Sequence, residues 1–214
     1  MFFISPVAAA TSQGFEWGIA LNDEFTFHMI FFDEGIETIN EGINVTIAEN
    51  PPTIPDPLVN LTSIGTFDIN MTFYNGTELG LYGLLFFGLL TVGSHFGYPI
   101  GNFSLLTELA MAEDWWDENH TIINTAQVWG VSYSETSGDE TSSITAEYFK
   151  TDGFCYRYLL EVSNSTSSLE TSVSFIRDMP SSSFDIIGFI TDNALYIGMG
   201  VIIVLLVVII VRRK

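Results

Sequence analysis

Residues 194–211, ALYIGMGVIIVLLVVIIV, run for eighteen positions without a charge and stop at Arg212, Arg213 and Lys214. At ~1.5 Å of rise per helical residue the run is ~27 Å long, close to a hydrocarbon core of ~30 Å. It reads as a transmembrane helix, capped by Thr191 or Asp192, with Tyr196 suited to the interface. Basic residues beside a span stay on the cytoplasmic side, so the C-terminus is expected inside and everything before the span outside. The lipid bilayer, through 194–211, is the first expected partner.

Three further features agree. MFFISPVAAA (1–10) resembles the tail of a signal peptide, with Ala8-Ala9-Ala10 as a small-residue cleavage site. It lacks a basic start and its apolar stretch is short, so a plain apolar terminus is the alternative. Asn-X-Ser/Thr triplets occur at Asn44, Asn60, Asn70, Asn75, Asn102, Asn119 and Asn164, seven of the twelve asparagines. With 39 Ser and Thr, chance gives about two, so the glycan-acceptor pattern is enriched. Acids outnumber bases 26 to 6, and no Lys or Arg precedes Lys150. A nucleic-acid surface needs clustered cations against phosphate, so that partner is excluded. A single cysteine, Cys155, excludes an internal disulfide framework and a cysteine-built zinc site.

Between the two apolar ends, 15–178 reads as one β-rich ectodomain, followed by a linker over 179–190 and the anchor over 191–214. Phe25, Phe27, Met29 and Phe31 alternate with polar residues, as do Ile43, Val45 and Ile47, and Phe67, Ile69, Met71 and Phe73. Asn75-Gly76 is a hairpin turn signal, which puts Asn75 at a tip. The run 79–92, LGLYGLLFFGLLTV, is apolar on both faces and broken by glycines. It reads as a buried or bent strand. FSLLTELAMAEDWWD (103–117) has helical spacing through Leu105, Leu106, Leu109, Ala112 and Trp116, with Asn102 or Ser104 as cap. Strands are expected at 121–133, 142–150, 154–163 and 168–177. At the Thr151-Asp152-Gly153 turn, a three-residue loop pairs Lys150 with Phe154, Tyr148 with Tyr156, Glu147 with Arg157 and Ala146 with Tyr158.

FEWGIALNDEFTF (15–27) resembles the first strands of uncharacterised archaeal surface proteins, especially of Asgard-type archaea. LLTELAMAEDWWDENHTIINTAQVWG (105–130) and AEYFKTDGFCYRYLLEVSNSTSSLETSVSFIRD (146–178) are similar to their helix and closing hairpins. That resemblance implies a signal peptide, a β-rich ectodomain and a C-terminal anchor of variable type, and no catalytic residue. The tyrosine and turn-glycine pattern also resembles lipoprotein carriers with a half-barrel around a helix.

Candidate chemistry is sparse. The histidines are His28, His95 and His120, and no Gly-X-Ser-X-Gly elbow accompanies them, so an anchored hydrolase is the weakest reading. Asp114, Asp117, Glu118 and His120 form the densest polar cluster. If the helix continues, Asp114 shares a face with Asp117 or Glu118. Acids at a helix C-terminus oppose its dipole, which a hard cation such as calcium would relieve; a solvated acidic end is the simpler reading. Trp115 and Trp116 beside them are candidates to face a ligand or to pack. Cys155 reads as a partly buried, unpaired strand residue on the face opposite Tyr156.

The expected fold is mainly β: an antiparallel curved sheet or open barrel with one packed helix, plus one C-terminal transmembrane helix. The expected function is a non-enzymatic, glycosylated cell-surface binding or structural protein without cofactor, with an unknown extracellular ligand or surface protein as partner. The alternative is a carrier of an apolar or lipid-like ligand, held between sheet and helix by Leu81, Leu85, Phe87, Leu105 and Leu109.

Overall fold

The computed structural model describes residues 11–79, 95–166 and 170–178. The leader at 1–10, the linker at 179–190 and the anchor at 191–214 lie outside the described residues. So does the apolar run after Leu79, with ligand candidates Leu81, Leu85 and Phe87. Among the described residues no helix is long and apolar enough to cross a membrane.

The protein is mainly β. Eight antiparallel strands form one open sheet: β1 (Glu24–Asp33), β2 (Ile36–Ile47), β3 (Ile69–Phe73), β4 (His120–Asn124), β5 (Val128–Ser137), β6 (Glu140–Phe149), β7 (Cys155–Asn164) and β8 (Glu170–Arg177). Their order is β3-β2-β1-β8-β7-β6-β5-β4. Two meanders, one from each half of the chain, are therefore joined where the first strand pairs with the last. The first compact unit ends with that strand, at Arg177.

Directly paired residues of antiparallel strands point to one face. One row crosses seven strands as Glu41, Met29, Phe175, Tyr158, Ala146, Val131 and Ile122. Its five middle members are buried. The next row, Ile39, Phe31, Val173, Leu160, Ile144, Tyr133 and His120, shares that face and is only half-buried along its whole length. The other face carries Ser172, Ser174, Thr145 and Ser132, with Thr145 and Ser132 joined by their hydroxyls at 2.9 Å. This is the alternation of a sheet with one core face.

Among the described residues the α-helix is α1 (Phe103–Met111), capped by Asn102, whose Oδ1 accepts from Leu105 N at 3.1 Å. Leu106, Leu109 and Ala110 enter the same apolar cluster as the sheet's Phe27, Trp129 and Phe175. The helix stops earlier than its spacing suggests. Ala112 and Glu113 close the last turn on Leu109 O and Ala110 O, and Glu113 turns its carboxylate to Leu61 N at 2.6 Å. Ala112 is exposed and Trp116 lies beyond the helix, half-buried.

Three further expectations are corrected. The strand expected at 121–133 is a hairpin, because Thr125 folds the chain: its N–H donates to Val128 O and its Oγ1 accepts from Val128 N. The polar run after it is strand rather than loop, up to a tight turn at Gly138 (φ +64°). The β6–β7 register holds from Glu140↔Asn164 to Glu147↔Arg157, including Ala146↔Tyr158. It then shifts, and Tyr148 pairs with Cys155 instead of Tyr156. The cause is a distant segment. Cys155 N donates to Phe96 O at 2.8 Å, Gly97 bridges Phe154, and Tyr98 N donates to Gly153 O at 2.8 Å. That third partner holds 153–155 away from the expected register, leaving Tyr156 as a bulge between Cys155 and Arg157 and opening the turn to four residues, 150–153. Cys155 consequently faces the core, with its thiol pushed up to about 12 by burial.

Candidate functional site

The β2–β3 end of the sheet is built by one short turn. Gly76 N donates to Phe73 O at 2.8 Å, and Phe73 N donates to Thr77 O at 2.8 Å. Gly76 sits at φ +81°. This is a three-residue hairpin loop whose last residue needs the left-handed region, which glycine enters without steric cost. Asn75 stands at the tip, exposed, with Oδ1 accepting from Thr77 N at 2.9 Å and from Thr77 Oγ1 at 2.6 Å. Tyr74 and Phe73 go to opposite faces. The Tyr74 ring lies over Gly42, where any Cβ would meet it at 2.2 Å. Phe73, paired with Ile43, goes to the core face.

There it lines an open cleft of about 360 Å³ with Met29, Ile39, Glu41, Asn75 and Thr77. The floor is apolar sheet. The polar rim is one carboxylate, one amide and one hydroxyl. Glu41 is notable because it holds a core-face position, directly opposite Met29, yet is exposed. The Asn75-Gly76 turn was visible in the sequence; that it brings Asn75 and Thr77 to the same cleft as Glu41 was not.

The other sequons fall in different settings. Asn44 and Asn70 are exposed on the face away from the core, each opposite the threonine of the other's triplet: Asn44 faces Thr72 and Asn70 faces Thr46. Asn60 is exposed and caps a 3-10 turn (Leu61–Ser63) through Oδ1. Asn102 is half-buried, and its Nδ2 donates to Gln13 O at 2.9 Å while Oδ1 caps α1. Asn119 is half-buried at the start of β4, and Asn164 closes the turn after β7 by accepting from Thr166 N.

The acidic cluster is not a helix face. With α1 ending at Met111, Asp114, Asp117 and Glu118 lie on the irregular chain that leads into β4. Asp117 Oδ1 meets His120 Nδ1 at 2.7 Å and accepts from Asn119 N. The Asn119 N–H first, and His120 next, hold the Asp117 carboxyl below its ordinary range. The His120 ring is enclosed by Trp115, Trp116 and Tyr133, with centroids 4.8–5.3 Å away. The two tryptophans thus pack on histidine and core. Among the described residues no three His, Cys, Asp or Glu side chains gather to hold a metal ion.

The remaining histidines are separate. His28 Nδ1 lies 3.3 Å from Asn40 Oδ1 on the non-core face. His95 is held below its usual value by burial, and its carbonyl accepts from Tyr148 Oη at 3.0 Å. Of the apolar-ligand candidates on α1, Leu109 is buried in the core and Leu105 is half-buried against it. Compared with known proteins, the chain matches no family model, no curated protein and no solved structure.

Proposed function

We propose that this chain is an outward-facing, membrane-anchored surface protein that binds or builds rather than catalyses. Residues 1–10 are its leader, 15–178 its ectodomain, 179–190 its linker and 191–214 its anchor. The observation that carries this reading is the exposure of Asn44, Asn60, Asn70 and Asn75, three of them on β2, β3 and the turn after β3. Triplets enriched beyond chance are useful as acceptors only on a surface that meets the glycosylating compartment. The uncharged 194–211 run and its basic tail support the orientation. The test is protease applied to intact cells. Epitopes within 15–178 should be lost while a tag after Lys214 survives. A protected ectodomain sinks the reading.

A second reading, a carrier of an apolar ligand, is favoured by one observation. The row Ile39, Phe31, Val173, Leu160, Ile144 and Tyr133 is apolar and half-buried across six strands. At ~4.8 Å per strand that row is ~24 Å long, enough for an extended acyl chain. Solvent extraction of the purified protein followed by mass spectrometry tests it. A stoichiometric lipid supports the carrier, and an empty extract excludes it.

A further inference from the structure

Asn75 is at once a sequon asparagine and a wall of the cleft on the core face of β1–β3. We propose that Asn75 carries an N-linked glycan whose first sugar folds back into that cleft and packs on Phe73. The inference rests on the outward-facing reading and deepens it.

Three observations carry it. The first is chemical fit. A pyranose ring has a C–H face and a rim of hydroxyls. Aromatic faces are electron-rich and attract positively polarised C–H edges. Phe73 and Ile39, both half-buried, and Met29 beneath them supply the apolar floor, and Glu41 supplies an acceptor for hydroxyls. The second is size. About 360 Å³ lies at the small end of the ligand range of ~300–1,000 Å³, suitable for one or two sugar rings. The third is rigidity. The Asn75 side chain is tied by Thr77 N and Thr77 Oγ1, and the loop is locked by two backbone bonds. A sugar leaving Nδ2 therefore starts beside Phe73 with little further ordering to lose. No other sequon asparagine lines this cleft: Asn44 and Asn70 sit in mid-strand on the opposite face, and Asn102 already uses its amide within the fold.

The covalent step needs a sugar activated as a lipid-linked phosphate or pyrophosphate. The Asn75 Nδ2 forms a C–N bond to the anomeric carbon. The anomeric C–O bond breaks, the phosphate carrier leaves with its electron pair, and one amide proton passes to base.

The full-length chain, purified in detergent from cells that make it, supplies the test. Glycopeptide mass spectrometry should find Asn75 occupied. Glycan removal by an amidase from the native protein should be at least tenfold slower at Asn75 than at exposed Asn60. The glycosylated chain should melt about 2–4 °C above its Asn75→Gln form, and that gap should close in a Phe73→Leu background. Glu41→Gln, which leaves the apolar floor intact, should narrow the gap in part. Equal release rates, or a gap unchanged by Phe73→Leu, overturn the seated sugar. An empty Asn75 overturns the proposal altogether. Protease accessibility measured on the same cells then tells whether the outward-facing reading falls with it.

Discussion

Trp129, on β5, donates its indole N–H to Thr107 Oγ1 of α1 at 2.9 Å. The indole is almost wholly buried, and the Thr107 hydroxyl donates in turn to Phe103 O at 2.9 Å. Two links thus form one chain from sheet to helix backbone. Thr107→Val keeps the shape and removes the acceptor. A buried donor left without a partner costs about 1–3 kcal/mol. Chemical denaturation should show that loss, and Thr107→Ser should recover most of it. A Val variant as stable as the parent would show that the bond does not hold the helix to the sheet.

Gly153 and Gly138 are both left-handed turn glycines, at φ +73° and +64°, but their surroundings differ. A Cβ on Gly138 meets nothing, whereas one on Gly153 would sit 1.9 Å from Tyr98 O. Gly138→Ala should therefore cost only the left-handed penalty, about 1–2 kcal/mol. Gly153→Ala must in addition push away the 96–98 segment, with its bonds to Gly153 and Cys155. We expect a loss above ~4 kcal/mol, in the range kept for severe backbone or core defects. Comparable melting temperatures for the two variants would contradict the close approach.

That same segment explains what was legible in the sequence. Alternation in Phe25, Phe27 and Met29, and in Ile43, Val45 and Ile47, gave faces correctly because each side chain answers to one local periodicity. Asn75-Gly76 was equally local. Two of the failures involve partners far along the chain, and a third is a turn of unusual local chemistry. Nothing near Tyr148 announces that Phe96–Tyr98 will pair beside it and shift its register to Cys155. Thr125 makes a turn through its hydroxyl, without the glycine or proline that turn reading looks for. The helical spacing through Trp116 persisted past the true end because it cannot register that Glu113 is needed at Leu61 N. The cleft joins β1, β2 and the turn after β3, so no single stretch of sequence displays it.

Thr11, Ser12 and Gln13 are tied down at once. Ser12 N donates to Asp56 Oδ2 at 2.8 Å and the Ser12 hydroxyl bonds the other carboxylate oxygen. The hydroxyl first, then the N–H, hold the Asp56 carboxyl below its ordinary 3.8. A carboxylate depressed in the folded state stabilises above its unfolded value, and loses that effect as pH falls through the folded one. The N-terminal tie should therefore be complete at neutral pH and loosen below about pH 3.8. The protection factor of the Ser12 amide should fall there, while the core amide of Phe175 stays protected. Ser12→Ala should move the Asp56 titration upward. A Ser12 protection factor that ignores pH across this window would refute the tie.

Arg177 ends β8 with its guanidinium 4.1 Å from the centre of Phe25 and 5.2 Å from that of Phe149. Its Nη1 lies 2.8 Å from Asp152 Oδ2 but off the N–H axis, so it is an ion pair without a hydrogen bond. The side chains are 10% and 20% exposed. Taking both charges out of water costs energy that a misaligned pair repays poorly, whereas removing one partner strands the other. Asp152→Asn should therefore cost about 2–3 kcal/mol, at or just below the ~3–5 kcal/mol of broken buried pairs, because Asp152 keeps some water. Arg177→Met retains apolar bulk against Phe25 and Phe149 and should cost less than Asp152→Asn. The double variant should be more stable than Asp152→Asn alone, since no stranded cation remains. Arg177→Lys should not rescue, because an ammonium cannot lie flat between two rings. A double variant as unstable as the sum of the singles would mean that the two charges act independently at the junction of the first and last strands.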